Sequence, residues 1–343
     1  MTAKLLKNIV YSLFPKNCGL VSAFGYGSVA VPQYGRTVKN SQLDLILVVD
    51  DPLRWHMANL QMNPNHYSSI ASLNSGQLLK KIISKWPHPA VYYNPFVTWH
   101  DPTNASPSLI IKYGVIGYQN LISDLNTWCS LYISGRLHKP VVFVPQYEPS
   151  SELKSSFIRN LKSALAFSLL QLDLPLLKED ILYYSIASIS YNGDWRLYFG
   201  EDKRKIERLI TGEPRRRGFR ELYLPLFSSE PFYSLFTVEV PDDLKADMRI
   251  FPRHEDQIVR QLLDYIPSSL CQLAIPEDPV SARQKLAEMT IEERRRRLLT
   301  TAASIVRWTS YRQTLLGLFS AGFLRSFLYS SSKFRKMLAS LRS

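Results

Sequence analysis

Cysteine is scarce: Cys18, Cys129 and Cys271 are the only three in 343 residues, and they lie far apart. A scattered, odd set excludes a disulfide framework and a cysteine-built metal cluster. It fits a reducing compartment, with each thiol serving as a small buried hydrophobe. Long hydrophobic runs are also missing. The nearest, over 315–324, is interrupted by Gly317 and Ser320 and falls short of the roughly 18–20 residues a spanning helix needs. The chain is therefore not expected to cross a bilayer. Acid is absent from both ends: the first acidic residue is Asp44, and eleven basic residues follow Glu293 with no acid among them. Low hydrophobicity, the mark of disorder, is absent too, since 45% of the residues are apolar.

What is present is positive charge, net +13. Such a balance suits nucleic acid, an anionic membrane surface or a phosphorylated substrate, and charge alone does not choose among them. The acid-free start sets Lys4, Lys7 and Lys16 among Leu5, Leu6, Ile9, Val10, Leu13 and Phe14. It reads either as a mitochondrial address or as a basic first helix packed on the core.

Patterning predicts strands over 19–24, 43–49, 90–99, 109–116 and 140–144, the apolar run Leu43–Val49 being suited to burial on both faces. Asp51-Pro52 has the composition of a helix start, cap followed by proline in the first turn. Ser75 is the expected cap of a second helix, ended at 86 by Pro87-His88-Pro89, and a third helix is expected over 118–133. Residues 145–151 look like a boundary. Beyond it helices are expected over 153–172 and 178–188, a strand over 195–199, a further helix, and a basic turn at Arg215-Arg216-Arg217. Strands over 222–227 and 235–240 follow, then helix from 243 onward. Helices followed by a short strand pair suggest a winged-helix-like module.

Chemistry concentrates at Gly25-Tyr26-Gly27-Ser28, where a strand runs into a glycine turn. Glycines there let backbone N–H groups approach phosphate oxygens, and Ser28 adds a hydroxyl donor. The spacing Gly25-x-Gly27-x-x-Ala30 also meets a loose dinucleotide fingerprint, with Asp50 as its ribose acid, but Pro32 and Gly35 leave no room for the long helix that fingerprint needs. Asp44, opening the next strand, has the place of a carboxylate that holds Mg²⁺ against a nucleoside triphosphate. Glycine-serine followed by such an acid is the broad signature of polymerase-β-like nucleotidyltransferases. Many of these carry two aspartates two positions apart, whereas Gln42 and Ile46 flank Asp44 here. A second metal carboxylate must come from elsewhere, with Asp50 or Asp51 as candidates; either could instead cap the next helix.

Longer stretches carry a more specific resemblance. Phe24-Gly25-Tyr26-Gly27-Ser28, residues 43–52 with Trp55-His56, and Asn65-His66-Tyr67-Ser68 belong to it, as do Val91-Tyr92-Tyr93-Asn94 and Ile111-Lys112-Tyr113-Gly114. So do Ser134-Gly135-Arg136-Leu137, Lys139-Pro140-Val141, Gly200-Glu201-Asp202-Lys203 and Phe219-Arg220-Glu221-Leu222-Tyr223. In these the chain resembles the mitochondrial translocator assembly and maintenance protein family, the matrix-side CDP-diacylglycerol synthases, over nearly its whole length. The match weakens over 228–293.

The resemblance implies an α/β (α+β) nucleotidyltransferase with a polymerase-β-like core over 1–148, a winged-helix-like domain over 149–242, and a helical region with a basic, membrane-contacting tail over 243–343. It implies that CTP and phosphatidic acid give CDP-diacylglycerol and pyrophosphate with Mg²⁺, feeding cardiolipin and phosphatidylglycerol synthesis. The expected place is the matrix side of the mitochondrial inner membrane, peripherally bound, with no nucleic-acid partner. On this reading Ser28, Asp44 and Lys112 are catalytic. Tyr26, Gly27, Ser28, His66, Tyr67, Asn94 and Lys112 bind the nucleotide. Asp44 and Asp50 hold metal, and Arg136, Lys139, Lys203 and Arg220 are candidates for the lipid phosphate. Lys112, mid-strand in Ile-Ile-Lys-Tyr, is costly there unless it meets a charge. Two rival readings stand beside it: a nucleic-acid-binding winged-helix protein, drawing on the Arg215-Arg216-Arg217 run, and a nucleotidyltransferase acting on RNA or protein.

Overall fold

The apolar run Leu43–Val49 becomes the middle strand of a five-stranded mixed sheet, buried on both faces as its composition demands. A computed structural model describes residues 3–31, 42–85, 91–101, 108–172, 177–196, 205–241, 243, 246–253 and 255–341, with side chains in the last helix described to 317. The expectations placed on Pro32, Gly35, Lys203 and most of the 195–199 strand lie outside the described residues, as do those on side chains beyond 317.

The first lobe runs α1 (Ala3–Leu13), β1 (Leu20–Tyr26), α2 (Gly27–Ala30), β2 (Leu43–Val49), α3 (Pro52–Met62), α4 (Ser69–Lys85), β3 (Tyr92–Trp99), β4 (Leu109–Gly117), α5 (Tyr118–Thr127), α6 (Ser134–Leu137) and β5 (Val142–Phe143). The strand order is β3-β4-β2-β1-β5; β2 and β4 are parallel and the other pairs antiparallel. Side chains alternate between the two faces. Leu43, Leu45, Leu47 and Val49 pack with Leu6, Ile9 and Phe14 of the N-terminal segment and with Trp55. Ile46 and Val48 pack with Leu121 and Leu125 of α5, Leu137 and Leu153. The basic N-terminal segment thus supplies a packed first helix, with Leu6 and Ile9 fully buried.

Asp51 caps α3 as expected, its carboxylate accepting from Leu53 N at 2.8 Å and Arg54 N at 3.1 Å. A cap of this type contributes about 1 kcal/mol. Ser75 does not cap α4, which begins at Ser69 and contains residue 75 in its interior. The helix expected over 118–133 stops at Thr127, where Trp128 turns left-handed at φ 52°.

The second lobe comprises α7 (Ser151–Leu169), β6 (Leu177–Lys178), α8 (Glu179–Ser188), α9 (Lys205–Ile210), α10 (Glu213–Tyr223), α11 (Phe232–Leu235), β7 (Phe236–Glu239) and β8 (Arg249–Pro252). Helices α12 (Glu255–Tyr265), α13 (Ser268–Ala274), α14 (Pro279–Glu288) and α15 (Ile291–Leu341) follow. Three expectations are corrected here. Arg215, Arg216 and Arg217 lie within α10, which starts on Glu213-Pro214 with proline in its first turn. Residues 222–227 end that helix and form the 3₁₀ turn Leu224–Ser228, since Pro225 has no amide for a ladder. The region after 243 is not wholly helical: Arg249–Pro252 is the middle strand of a β6-β8-β7 sheet. One core joins α7, α8, α10, α12, α13, α14 and the start of α15 through Leu165, Ile186, Phe219, Leu262, Leu270, Leu286 and Leu298.

The lobes share polar contacts. Tyr223 donates to the His138 carbonyl at 2.8 Å, Lys139 to Ser190 Oγ at 2.8 Å, and Arg215 to Gly27 O at 3.1 Å and Val31 O at 2.6 Å. Helix α15 leaves the second core and reaches the first lobe, where Leu316 packs with Tyr67, Leu79 and Tyr92.

Candidate active site

Tyr26, Asp44 and Lys112 face one another across three adjacent strands, in the register Tyr26↔Asp44↔Lys112. Paired residues share a face, and Asp44 shares its face with Ile46 and Val48, on the α5 side. The turn closes on this row. Gly27 has φ +80°, and a Cβ there would stand 3.2 Å from Asp44 Oδ2. Glycine is needed both for the left-handed backbone and for the closeness of the carboxylate. Ser28 follows in the same turn and is partly exposed.

Aromatic rings and cations complete the row. Lys112 Nζ lies 4.6 Å from the Tyr93 ring centre, and Arg136 lies 3.9 Å over Tyr132 and 5.4 Å from Tyr26. Arg136 also donates to the Tyr132 carbonyl. Burial raises the Tyr26 phenol, and the Asp44 charge adds to it, so Tyr26 is a neutral phenol in the same row as that carboxylate. Burial opposes ionisation of Tyr132 as well, yet Arg136, Arg196 and Lys112 outweigh it and draw its pKa below the ordinary tyrosine value. The site is one carboxylate within a cationic, aromatic wall, a combination whose charges suit phosphate oxygens and a cation together.

Asp124 builds part of this wall. Its carboxylate accepts six hydrogen bonds: from the amides of Ser130, Leu131, Ile133 and Ser134 and from the Ser130 hydroxyl, at 2.6–3.1 Å, and from the Cys129 thiol at 3.8 Å. That anchors the segment presenting Tyr132 and α6, which carries Arg136.

Other predicted residues sit elsewhere. His66, Tyr67 and Asn94 lie on the opposite face of the sheet, around Tyr113. Asn94 donates to the Tyr113 hydroxyl at 2.8 Å, Asn59 at 2.7 Å, and His66 Nδ1 lies 3.0 Å away. Tyr67 joins through Asn59 and His56, both at 2.9 Å. The sheet therefore separates Lys112 from Asn94, because Lys112 and Tyr113 are sequence neighbours and point to opposite faces.

Asp50 cannot join Asp44 at one metal ion. It lies beyond the far end of β2, six residues along at roughly 3.3 Å each, or about 20 Å away. Asp51 is engaged as the α3 cap. No group of three His, Cys, Asp or Glu gathers among the described residues. Mg²⁺ is commonly held by one or two carboxylates plus substrate phosphates, a demand that Asp44 beside the turn fits.

Among the lipid-phosphate candidates, Arg136 stands in the row. Lys139 is buried, donating to Gly135 O and Ser190 Oγ. Arg220 pairs with buried Glu179 through two bonds at 2.8 and 2.7 Å. The Arg215-Arg216-Arg217 run is divided too: Arg215 is buried, Arg216 bridges Glu179 and Asp247, and Arg217 pairs with Glu221. Sequence reasoning missed Tyr93, Tyr132 and Asp124, and took Arg215 only as part of a basic turn. The first two fall inside or beside recognised motifs, whereas nothing local distinguishes Asp124 or ties Arg215 to the glycine turn.

The sequence profile described as "Phosphatidate cytidylyltransferase, mitochondrial" matches residues 6–336. A rat protein of that name is 33% identical over 94% of this chain and 92% of its own. A Xenopus laevis relative of the same name is 34% identical over 97% and 94%, and one from Schizosaccharomyces pombe 33% over 93% and 80%. Matches of this extent and identity make the chain a member of the mitochondrial phosphatidate cytidylyltransferase family.

Proposed function

We propose that the protein is a phosphatidate cytidylyltransferase, converting CTP and phosphatidic acid to CDP-diacylglycerol and pyrophosphate. The observation that carries this reading is the Tyr26–Asp44–Lys112 row against the Gly27-Ser28 turn, in a chain of that family. A phosphate oxygen of phosphatidic acid attacks the α-phosphorus of CTP; the bond to the β-phosphate oxygen breaks and pyrophosphate leaves. The nucleophile is already ionised, so the protein needs no strong base, and positioning and charge neutralisation do the catalysis.

The Gly27 amide and Ser28 hydroxyl hold the β- and γ-phosphates, and Lys112 meets a phosphate beside them. Arg136, fixed over Tyr132 and Tyr26, holds the phosphate of the lipid. Asp44 would hold Mg²⁺, which when bound supplies positive charge to the triphosphate. The Tyr113-centred network supports β3 and β4 from behind.

A polymerase-β-like core is supported by the mixed sheet with its turn and acid on adjacent strands. A winged-helix-like module is supported by the order α7, β6, α8, α9, α10, α11, β7, β8 and the β6-β8-β7 sheet, with β8 lying past residue 242. We place the protein at the mitochondrial inner membrane, matrix side, feeding cardiolipin and phosphatidylglycerol synthesis. Peripheral attachment through α15 is favoured by its ten basic residues after Glu293 and by the absence, among the described residues, of any helix long and apolar enough to cross a membrane.

The test is incubation with labelled CTP, Mg²⁺ and phosphatidic acid liposomes. A labelled CDP-lipid and pyrophosphate in equal amounts are expected; no lipid product would overturn the reading.

A further inference from the structure

Arg215 belongs to α10 in the second lobe, yet its guanidinium ends in the first. It is 1% exposed. Its Nη2 donates to Gly27 O at 3.1 Å and to Val31 O at 2.6 Å. Those two carbonyls bracket α2. Val31 N also donates to Gly27 O at 3.0 Å, so the same oxygen closes the turn and receives the arginine. Gly27 contributes both a carbonyl held by Arg215 and a position where any Cβ would stand 3.2 Å from Asp44 Oδ2. The turn is only four residues long, too short to hold its shape by its own ladder. A rigid two-pronged donor from outside supplies what the turn lacks.

We infer that Arg215 is a positioning residue for the CTP phosphates, clamping the Gly27–Val31 turn from the second lobe so that the Gly27 amide and Ser28 hydroxyl are set for the triphosphate before it binds. This rests on the reading of that turn as the phosphate-holding element. Arg215 touches neither substrate nor reacting atoms; it acts through the backbone of the turn. Burial of the guanidinium lowers its pKa to about 10, so it stays charged at neutral pH.

The experiment compares R215M and R215K with wild type in the full chain. It measures CTP affinity without lipid, KM for each substrate, thermal midpoint, and amide exchange over 24–31. Loss of a charged hydrogen-bond donor predicts CTP affinity about tenfold weaker in R215M, with KM for phosphatidic acid within about twofold. Faster exchange is expected over 24–31 but not across α10. R215K, which keeps the charge but not the fork, should recover part of the CTP affinity. Wild-type CTP affinity in R215M, or equal weakening towards both substrates, overturns the inference. Should R215M fail to fold, R215K decides: weakened CTP binding at an unchanged thermal midpoint supports the clamp, and wild-type CTP binding overturns it. S28A separates the two readings. Normal CTP binding in S28A sinks the phosphate-turn reading itself, whereas weakened binding in S28A with normal binding in both Arg215 variants sinks the clamp alone.

Discussion

At the scale of single residues, Asp44 is set apart by its company. Its strand is otherwise apolar, and its row contains Tyr26, Lys112 and the Gly27 backbone. Asp44→Asn keeps the shape and removes the charge. CDP-lipid formation should fall by at least about a hundredfold, of the order seen when a preorganised charge is removed from an active site, while the thermal midpoint stays within a few degrees. Full turnover in that variant would exclude the metal role.

Histidine gives a second expectation at this scale. His56 and His138 are fully buried, and burial lowers both pKa values from 6.5 to about 3. The folded state therefore excludes protons that the unfolded chain takes up below pH 6.5. The stability each contributes is complete above pH 6.5 and is lost as pH falls toward about 3, at roughly 1.4 kcal/mol per pH unit per histidine. Urea midpoints should decline between pH 7 and about 4.5, and a flat profile there would contradict the buried neutral assignment.

At the scale of elements, the segment between α5 and α6 depends on one side chain. The Asp124 carboxylate is fully buried and accepts six hydrogen bonds, four of them from backbone amides. Asp124→Ala leaves those amides without partners and should cost about 3 kcal/mol or more by urea unfolding. Because the segment presents Tyr132 and Arg136, activity should fall even where the protein remains folded. Retention of both stability and activity would show that the segment is held by other means.

Elements also explain what was legible beforehand. Leu43–Val49 and the Asp51-Pro52 cap were readable because their signals are local: a continuous apolar run, and a side chain that bonds amides two and three residues on. Arg215-Arg216-Arg217 looked like a basic turn because charge runs usually mark solvated segments. Two of those arginines meet partners about 30 or more positions away in sequence, and a local window cannot hold such partners. His66, Tyr67 and Asn94 were grouped with Lys112 on motif proximity. Strand alternation puts Asn94 with Tyr113 on the face away from Lys112, and the 3₁₀ turn that carries His66 and leads into Tyr67 packs against that same face.

At the scale of the whole molecule, α15 ties the lobes together. Leu298, Ala302 and Val306 belong to the second core, and Leu316 packs on the first lobe. The same helix carries most of the acid-free basic tail. Each basic residue near an anionic surface contributes about 1 kcal/mol, and salt screens it. The full chain should co-sediment with vesicles containing phosphatidic acid at low salt, progressively less as salt rises, and poorly with neutral phosphatidylcholine vesicles. Equal binding to both would exclude electrostatic attachment.

The sequence by itself determined the strands with continuous apolar runs, the glycine-serine turn, the acid that follows it and the basic tail. All of these act within a few residues of themselves or by composition. The tertiary structure decided which residues share a face. It set Lys112 and Arg136 beside Asp44, sent Asn94 and Tyr67 behind the sheet, placed Asp50 a strand's length away, and brought Arg215 across from the other lobe. The physical reason is that register, alternation and burial are settled between segments remote in the chain. A residue's chemistry is written in its own side chain, but its partners are supplied by the fold.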